Sequence, residues 1–234
     1  MRAKHLDEVL RETFVVVPAY NEARVIGDVV RGLLAAFPNV VVVNDGSSDD
    51  TAAVLKETPA TIVTHLINLG QGAALQTGIT HALERGASYI VTFDADGQHR
   101  LEDAVQAVRV LSSEGGGDAV CGSRFLGTAS NVPRIRKFIL KAAVGLANLT
   151  SGARMTDAHN GLRALSRKAA ASLDLTQSGM AHASEIISQL RAHGMQIREV
   201  PVQIHYTDYS LAKGQSSLNS INILVDLFIG RFLK

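Results

Sequence analysis

Five short apolar runs rich in β-branched residues, at 14–17, 40–43, 61–64, 89–93 and 119–121, alternate with stretches of helical periodicity near 22–36, 49–57, 72–85 and 101–113. Strands separated by helices cannot pair through tight hairpins. Each return must cross the sheet through a helix, which makes neighbouring strands parallel. The alternation therefore predicts an α/β fold, a Rossmann-like and mostly parallel sheet with helices on both faces. Ser47-Ser48-Asp49-Asp50 offers N-cap groups for the second helical stretch. Gly115-Gly116-Gly117 after the fourth requires a turn.

Beyond residue 122 the pattern changes. A basic segment, Pro133-Arg134-Ile135-Arg136-Lys137, leads into a helix-like stretch to about Leu149, and 157–163 reads as a polar turn. Residues 181–192 read as a helix and 195–205 as a final strand. The tail is helix-like with a broad apolar face of Leu218, Ile221, Leu224, Val225, Phe228 and Phe232. Without a convincing linker, the expected organisation is one domain over 1–216 and a C-terminal amphipathic helical appendage over 217–234.

Hydrophobic residues make up 46% of the chain, enough for a substantial core. The formal net charge of +1 implies no nucleic-acid or other polyanion partner. The single cysteine, Cys121, rules out an intramolecular disulfide and reads as a buried thiol in an apolar run. Residues 1–12 are polar and lack the apolar core of a signal peptide. No stretch reaches 18 uncharged apolar residues. Together these features point to a cytoplasmic location, compatible with peripheral attachment at the inner face of the cell membrane.

The chemistry gathers where strands should end. Asp94-Ala95-Asp96-Gly97-Gln98-His99 follows the 89–93 run and presents oxygen ligands on alternate residues, suited to a hard divalent cation that also holds a diphosphate. A helix-capping turn is the plainer reading of the same residues. Val17-Pro18-Ala19-Tyr20-Asn21-Glu22, Asn44-Asp45-Gly46-Ser47-Ser48-Asp49-Asp50-Thr51 and Asn68-Leu69-Gly70-Gln71-Gly72-Ala73 follow the first three strands. Ligands of open α/β sheets bind at that edge. Each loop alone is weak evidence; four in order are not.

This ordered set resembles the family 2 glycosyltransferases of GT-A fold, over roughly residues 14–216. Within them it looks most like the polyprenyl-phosphate sugar transferases of the dolichyl-phosphate mannose synthase type. Ser123-Arg124-Phe125, Asp157-x-x-Asn160-Gly161-x-Arg163, Glu199-Val200-Pro201-Val202 and Lys213-Gly214-Gln215-Ser216 add to the likeness. The resemblance implies that Pro18, Tyr20 and Glu22 line the base and ribose of a UDP- or GDP-sugar. It implies that Asp45 contacts the base and that Gly72 lets the backbone approach the nucleotide. Asp94 would reach the donor through its ribose or metal shell, while Asp96 and Gln98 would bind Mg2+ or Mn2+. Arg124, with Arg134, Arg136 or Lys137, would hold the phosphate of a polyprenyl acceptor. Related enzymes often carry an arginine near 205–210; here Lys213 is the nearest cation. Asn160 stands where serine is usual.

A monophosphate acceptor is already anionic near neutral pH, since its second pKa is roughly 6, and needs positioning more than deprotonation. A sugar hydroxyl acceptor would instead require a carboxylate base. Asp157 is the candidate, unless it is a turn carboxylate paired with Arg163. The single displacement implied by the resemblance inverts the anomeric centre. The apolar face of the tail fits a membrane surface or a small membrane-protein partner, or else packing against its own domain or a second copy in a homo-oligomer.

Overall fold

The computed structural model describes residues 5–126, 155–177 and 181–205. In chain order the elements are α1 (Leu6–Arg11), β1 (Thr13–Ala19), α2 (Ile26–Leu34), β2 (Asn39–Asp45), α3 (Thr51–Lys56), β3 (Thr61–His65), α4 (Gln71–Glu84) and β4 (Tyr89–Thr92). They continue as α5 (Leu101–Ser112), β5 (Ala119–Ser123), β6 (Arg163–Ser166), α6 (Arg167–Ala171), α7 (His182–Ala192) and β7 (Ile197–Pro201). The basic residues Arg134, Arg136, Lys137 and Lys213 lie outside the described residues, as does the 217–234 tail.

The strands form one sheet in the order β3-β2-β1-β4-β6-β5-β7. Pairings β1–β2, β1–β4, β2–β3 and β5–β7 are parallel, whereas β6 runs antiparallel to both β4 and β5. The expected mostly parallel sheet is present, with one reversed strand inside it. That strand is the main departure from the sequence reading, because the polar turn of 157–163 feeds directly into β6. Four residues, Arg-Ala-Leu-Ser, are too few to show a period of two. Two short helices, α1 and α6, also carry too little pattern to stand out.

Side-chain alternation along β1 divides the core. Val15 and Val17 join the layer under α1, α2, α3 and α5, with Val9, Ile26, Val30, Leu55 and Val108. Val16 faces the opposite layer under α4, α6 and α7, with Leu75, Ile79, Ala170 and Ile186. Strands buried on both faces explain why the 14–17 and 40–43 runs are continuously apolar. Pro18 sits two residues beyond the last β1–β4 pair, Val16 with Thr92, so its missing N–H does not break that ladder.

The strand order reverses between β1, whose other neighbour is β2, and β4. Such a switch point opens a crevice at the carboxyl ends of the strands. Because β6 runs backwards, its N-terminal end meets the carboxyl ends of the other strands at the same edge.

Helix α4 packs on β1 and β2 through Gly78, where an added Cβ would collide with Val16 Cγ1 and approach Val43 Cγ2 at 3.1 Å. Overpacking costs about 1–3 kcal/mol, against a helix-propensity gain of about 1 kcal/mol. Gly78→Ala is therefore expected to lower the urea midpoint; an unchanged or raised midpoint would contradict this packing.

Candidate active site

The loops after β1 and β2 are built as one unit. Asn21, with φ +54°, turns the chain after β1. Its N–H donates to Ser47 Oγ at 3.0 Å and its Oδ1 accepts from Ser48 N at 2.8 Å. Glu22 N donates to Thr51 Oγ1 at 2.8 Å, and Ala23 N to Asp49 Oδ2 at 3.2 Å. The Ser47–Asp50 run thus does more than cap α3. Its N-cap residue, Asp50, makes no side-chain cap; Asp49 Oδ1 instead accepts from Thr51 N at 3.0 Å.

Asp45, at the end of β2, organises the third loop. Its carboxylate accepts from Leu69 N at 2.9 Å and Gly70 N at 2.8 Å, and pairs with His65 Nδ1 at 2.7 Å. His65 Nε2 reaches Thr77 Oγ1 at 2.9 Å, which ties the clamp to α4. Gly70, φ +93°, takes a conformation that favours glycine just before α4. Gly72 has a packing contact of its own. A Cβ at that position would collide with the carbonyl of Gln177 and meet His182 Cβ at 3.0 Å. Gly72 makes room for the chain near α7, and Gly70 rather than Gly72 lines the cavity.

The loop after β4 carries Asp94, Asp96, Gln98 and His99. Asp94 Oδ2 meets His99 Nε2 at 2.9 Å, and its Oδ1 accepts from Gln71 Nε2 at 3.1 Å. Asp96 Oδ1 accepts from Gln98 N at 2.9 Å. The segment after β7 braces this loop through a hydrogen bond from His205 N to Gln98 O at 2.9 Å. The turn before β6 closes on it from the other side. Thr92 Oγ1 donates to Gly161 O at 2.6 Å, and a Cβ on Gly161 would collide with both Asp94 carboxylate oxygens.

Asp157 pairs with Arg124, not with Arg163. Arg124 Nε donates to Asp157 Oδ2 at 2.7 Å and Nη2 to Oδ1 at 2.8 Å, a two-pronged contact of the strong kind. Glu199 holds the turn in place by accepting from Thr156 N, Thr156 Oγ1 and Asp157 N at 2.9–3.0 Å. Arg163 is 1% exposed and donates through Nη2 to Ala158 O at 3.2 Å.

These loops surround a cavity of about 490 Å³. Its walls include Pro18, Tyr20, Glu22, Asp45, Asp94, Asp96, Gln98 and Arg124, all named from the sequence. Asp157 stands behind Arg124, outside the lining. The lining also contains Gln71, His99, His159, Asn160, Arg163 and His182, none of which was expected to line the site. For Gln71, His99, Asn160 and Arg163 the one signal was membership of the quoted Gln71-Gly72, Gln98-His99 and Asn160-Gly161-x-Arg163 motifs; His159 and His182 had none.

Electrostatics separate the carboxylates. Desolvation alone would raise Asp94, but the hydrogen bond and charge of His99, with the charges of Arg163 and His182, outweigh it and hold Asp94 below the usual carboxylate range. Asp157 is likewise desolvated, and Arg124 pulls it below that range. Asp96 is pushed up to about 6, first by desolvation and then by the neighbouring Asp94 charge. Asp94, Asp96 and Gln98 line the same cavity, the two carboxylate charges repel, and a divalent cation would relieve that repulsion. The residues present therefore fit a hard metal ion. Burial also pushes the Cys121 thiol up to about 11, consistent with an inert core residue.

Known proteins resemble the chain in sequence and in fold. Over 92% of its length the chain is 30% identical to the UDP-N-acetylglucosamine–dolichyl-phosphate N-acetylglucosaminyltransferase of Methanococcus voltae, covering 94% of that protein. It is 29% identical over 93% of its length to the polyprenol monophosphomannose synthase of Mycolicibacterium smegmatis, covering 85% of that protein. The fold matches the crystal structure of glucosyl-3-phosphoglycerate synthase from Mycobacterium tuberculosis in complex with Mn2+ and UDP-glucose. That match has a TM-score of 0.72 at 19% identity, over 97% of this chain and 82% of the other. Residues 14–173, from β1 to beyond α6, match the family described as Glycosyl transferase family 2, and the chain belongs to that family.

Proposed function

We propose that the chain transfers a sugar from a UDP- or GDP-sugar to a polyprenyl phosphate, with inversion at the anomeric carbon, in support of cell-envelope glycan synthesis. The observation that carries this choice of acceptor is the Arg124–Asp157 pair. A hydroxyl acceptor would need a base, and the carboxylate that the sequence offers for it is bound at both oxygens and held ionised by Arg124. A phosphate acceptor needs no such base. Relatives whose names specify dolichyl-phosphate and polyprenol acceptors support the same reading.

Each wall of the cavity then takes a role. Pro18, Tyr20, Glu22 and Asp45 hold the base and ribose, with Asp45 setting the Leu69–Gly70 backbone beside them. Asp94, Asp96 and Gln98 would hold Mg2+ or Mn2+. A bound cation supplies Lewis-acid neutralisation of the departing diphosphate. A phosphate oxygen of the acceptor attacks the anomeric carbon, the bond to the diphosphate breaks, and its electron pair leaves with the nucleoside diphosphate. Arg124 lines the cavity at the acceptor end of the edge, but its charge is balanced by Asp157. The additional positive charge for the acceptor falls to Arg134, Arg136, Lys137 and Lys213. Guanidinium groups match phosphate oxygens in pairs, and lysine adds a point charge.

No helix among the described residues is long and apolar enough to cross a membrane. The amphipathic 217–234 segment is proposed to bring the domain to the inner membrane surface, directly or through a small membrane protein or second copy. A lipid acceptor must be met there.

Protonation of Asp96 competes with the cation. With this carboxyl at about 6, Mn2+ affinity should be full above that pH and fall by up to about tenfold per unit below it. Asp96→Asn should lose most of the affinity and the turnover. Calorimetry showing a pH-independent Mn2+ affinity down to pH ~4 would remove Asp96 from the metal site.

The function itself is tested with labelled nucleotide sugars and undecaprenyl phosphate in vesicles. The product should partition into organic solvent and release its sugar in mild acid, as an anomeric phosphodiester does. Deleting 219–234 should reduce transfer to vesicles more than to detergent-dispersed acceptor. A water-soluble, acid-stable glycoside formed at a competitive rate would contradict the acceptor assignment.

A further inference from the structure

The two ends of the sheet are finished differently. Strand β3 pairs only with β2, and its outer backbone N–H and C=O groups meet no partner among the described residues. Such an edge is a template for another strand, and proteins commonly block it with charge or proline. At the opposite end, β7 carries Arg198, Glu199 and Pro201, with Arg198 and Pro201 exposed. Strand β3, Thr-Ile-Val-Thr-His, carries no such residue, and Pro59 lies outside its ladder. Its surroundings are uncharged too. Residues 58–83 contain no Asp, Glu, Lys or Arg, in a chain that is 19% charged. They include the exposed Thr61 and Thr64, then Leu66 at 100% exposure, Ile67 at 66% and Leu69 at 46%. Those last three are most of the five exposed large hydrophobic side chains among the described residues. Charge depletion around exposed apolar groups is the composition of an interface core. Beside the strand, a groove of about 470 Å³ is lined by Val63, by Thr77, Thr80, His81 and Glu84 of α4, and by Leu175.

We propose that this edge pairs with the same edge of a second copy, joining two sheets into one. The strand is its own complement. A twofold axis perpendicular to the sheet sets two β3 strands antiparallel, and a pairing centred on Val63 puts Thr61 of one copy opposite His65 of the other and Ile62 opposite Thr64. Threonine and β-branched residues favour such cross-strand contacts. Twofold pairs are the commonest assembly of identical chains, and a second copy brings a matching uncharged edge with it, which a foreign strand would have to supply. Five paired residues a side are few against the roughly 1,600 Å² of a standard interface. The groove beside α4 and the Leu66–Ile67 pair supply further surface to close.

Antiparallel pairing by itself would point the carboxyl edges of the two copies in opposite directions. Sheet twist changes this. Neighbouring strands rotate by roughly 20–25°. Strands β4 and β6 lie three and four strands in from β3, so the rotation there accumulates to roughly 60–100°. The carboxyl edge near β4 and β6 swings toward one face of the joined sheet, and the twofold makes it the same face for both copies. Both cavities could then meet one lipid surface.

Sedimentation of the full chain over a concentration series tests this, and a species of twice the chain mass is expected. Thr64→Lys and Leu66→Lys place charge at exposed positions, so thermal unfolding should stay cooperative while each raises the dimer dissociation constant about tenfold or more. Val63→Cys should give a covalent dimer on mild oxidation, because opposed residues of antiparallel strands sit about 4.5–5.5 Å apart between Cα atoms, within disulfide reach. The native Cys121 is buried and does not compete. Arg198→Cys, on the β7 edge, should stay uncrosslinked. A parent chain that remains monomeric throughout would overturn the pairing. So would a dimer that both lysine variants leave intact, which would place the association at the tail or another face, or equal cross-linking through residues 63 and 198.

Discussion

The arrangement turns on the contact between the Gly161 backbone and the Asp94 carboxylate. The position admits no Cβ, and Thr92 fixes it further by donating to the Gly161 carbonyl at 2.6 Å. Both depend on β6 running backwards between β4 and β5. A parallel strand there would begin at the far edge of the sheet, and the 157–163 turn could not reach the cavity. The reversal brings Asn160, Gly161 and Arg163 beside the Asp94–Asp96 loop, and Asp157 beside Arg124.

Around that contact the acidic residues are supported differently. Asp45 is surrounded by backbone N–H groups and His65, Asp94 by His99 and Gln71, and Asp157 by Arg124. Each arrangement makes a carboxylate part of the scaffold, and Asp45 and Asp94 also line the cavity. Asp96 differs in that desolvation and the Asp94 charge raise its carboxyl. A buried carboxylate held near a like charge stores electrostatic free energy that a cation releases. The site is preorganised by its hydrogen bonds, and the unfavourable part sits at Asp96, one of the residues proposed to hold the cation.

The sheet was legible because β1 and β2 are buried on both faces and their apolar runs are continuous. The four strand-end loops were legible because glycine, asparagine and paired carboxylates mark them out. What was hidden depended on contacts distant in sequence. Nothing local distinguishes Gly70, which lines the cavity, from Gly72, which yields to a carbonyl 105 residues further on at Gln177. The choice of Arg124 over Arg163 as partner of Asp157 is set by β5 and β6 pairing, not by spacing. Arg163 looked like the end of a polar turn and is instead among the most buried side chains. His182 lies on a helix whose sequence carries no trace of the cavity it borders.

The central claim is that the turn before β6 positions Asp94 for the cation. Manganese binding to Gly161→Ala, followed by electron paramagnetic resonance beside a thermal unfolding curve, tests it most directly. The added methyl must displace Asp94 or the turn. The account predicts that Mn2+ affinity falls by about tenfold or more, a loss of at least about 1.4 kcal/mol, while unfolding remains cooperative. A folded variant that binds Mn2+ as tightly as the parent chain would contradict it.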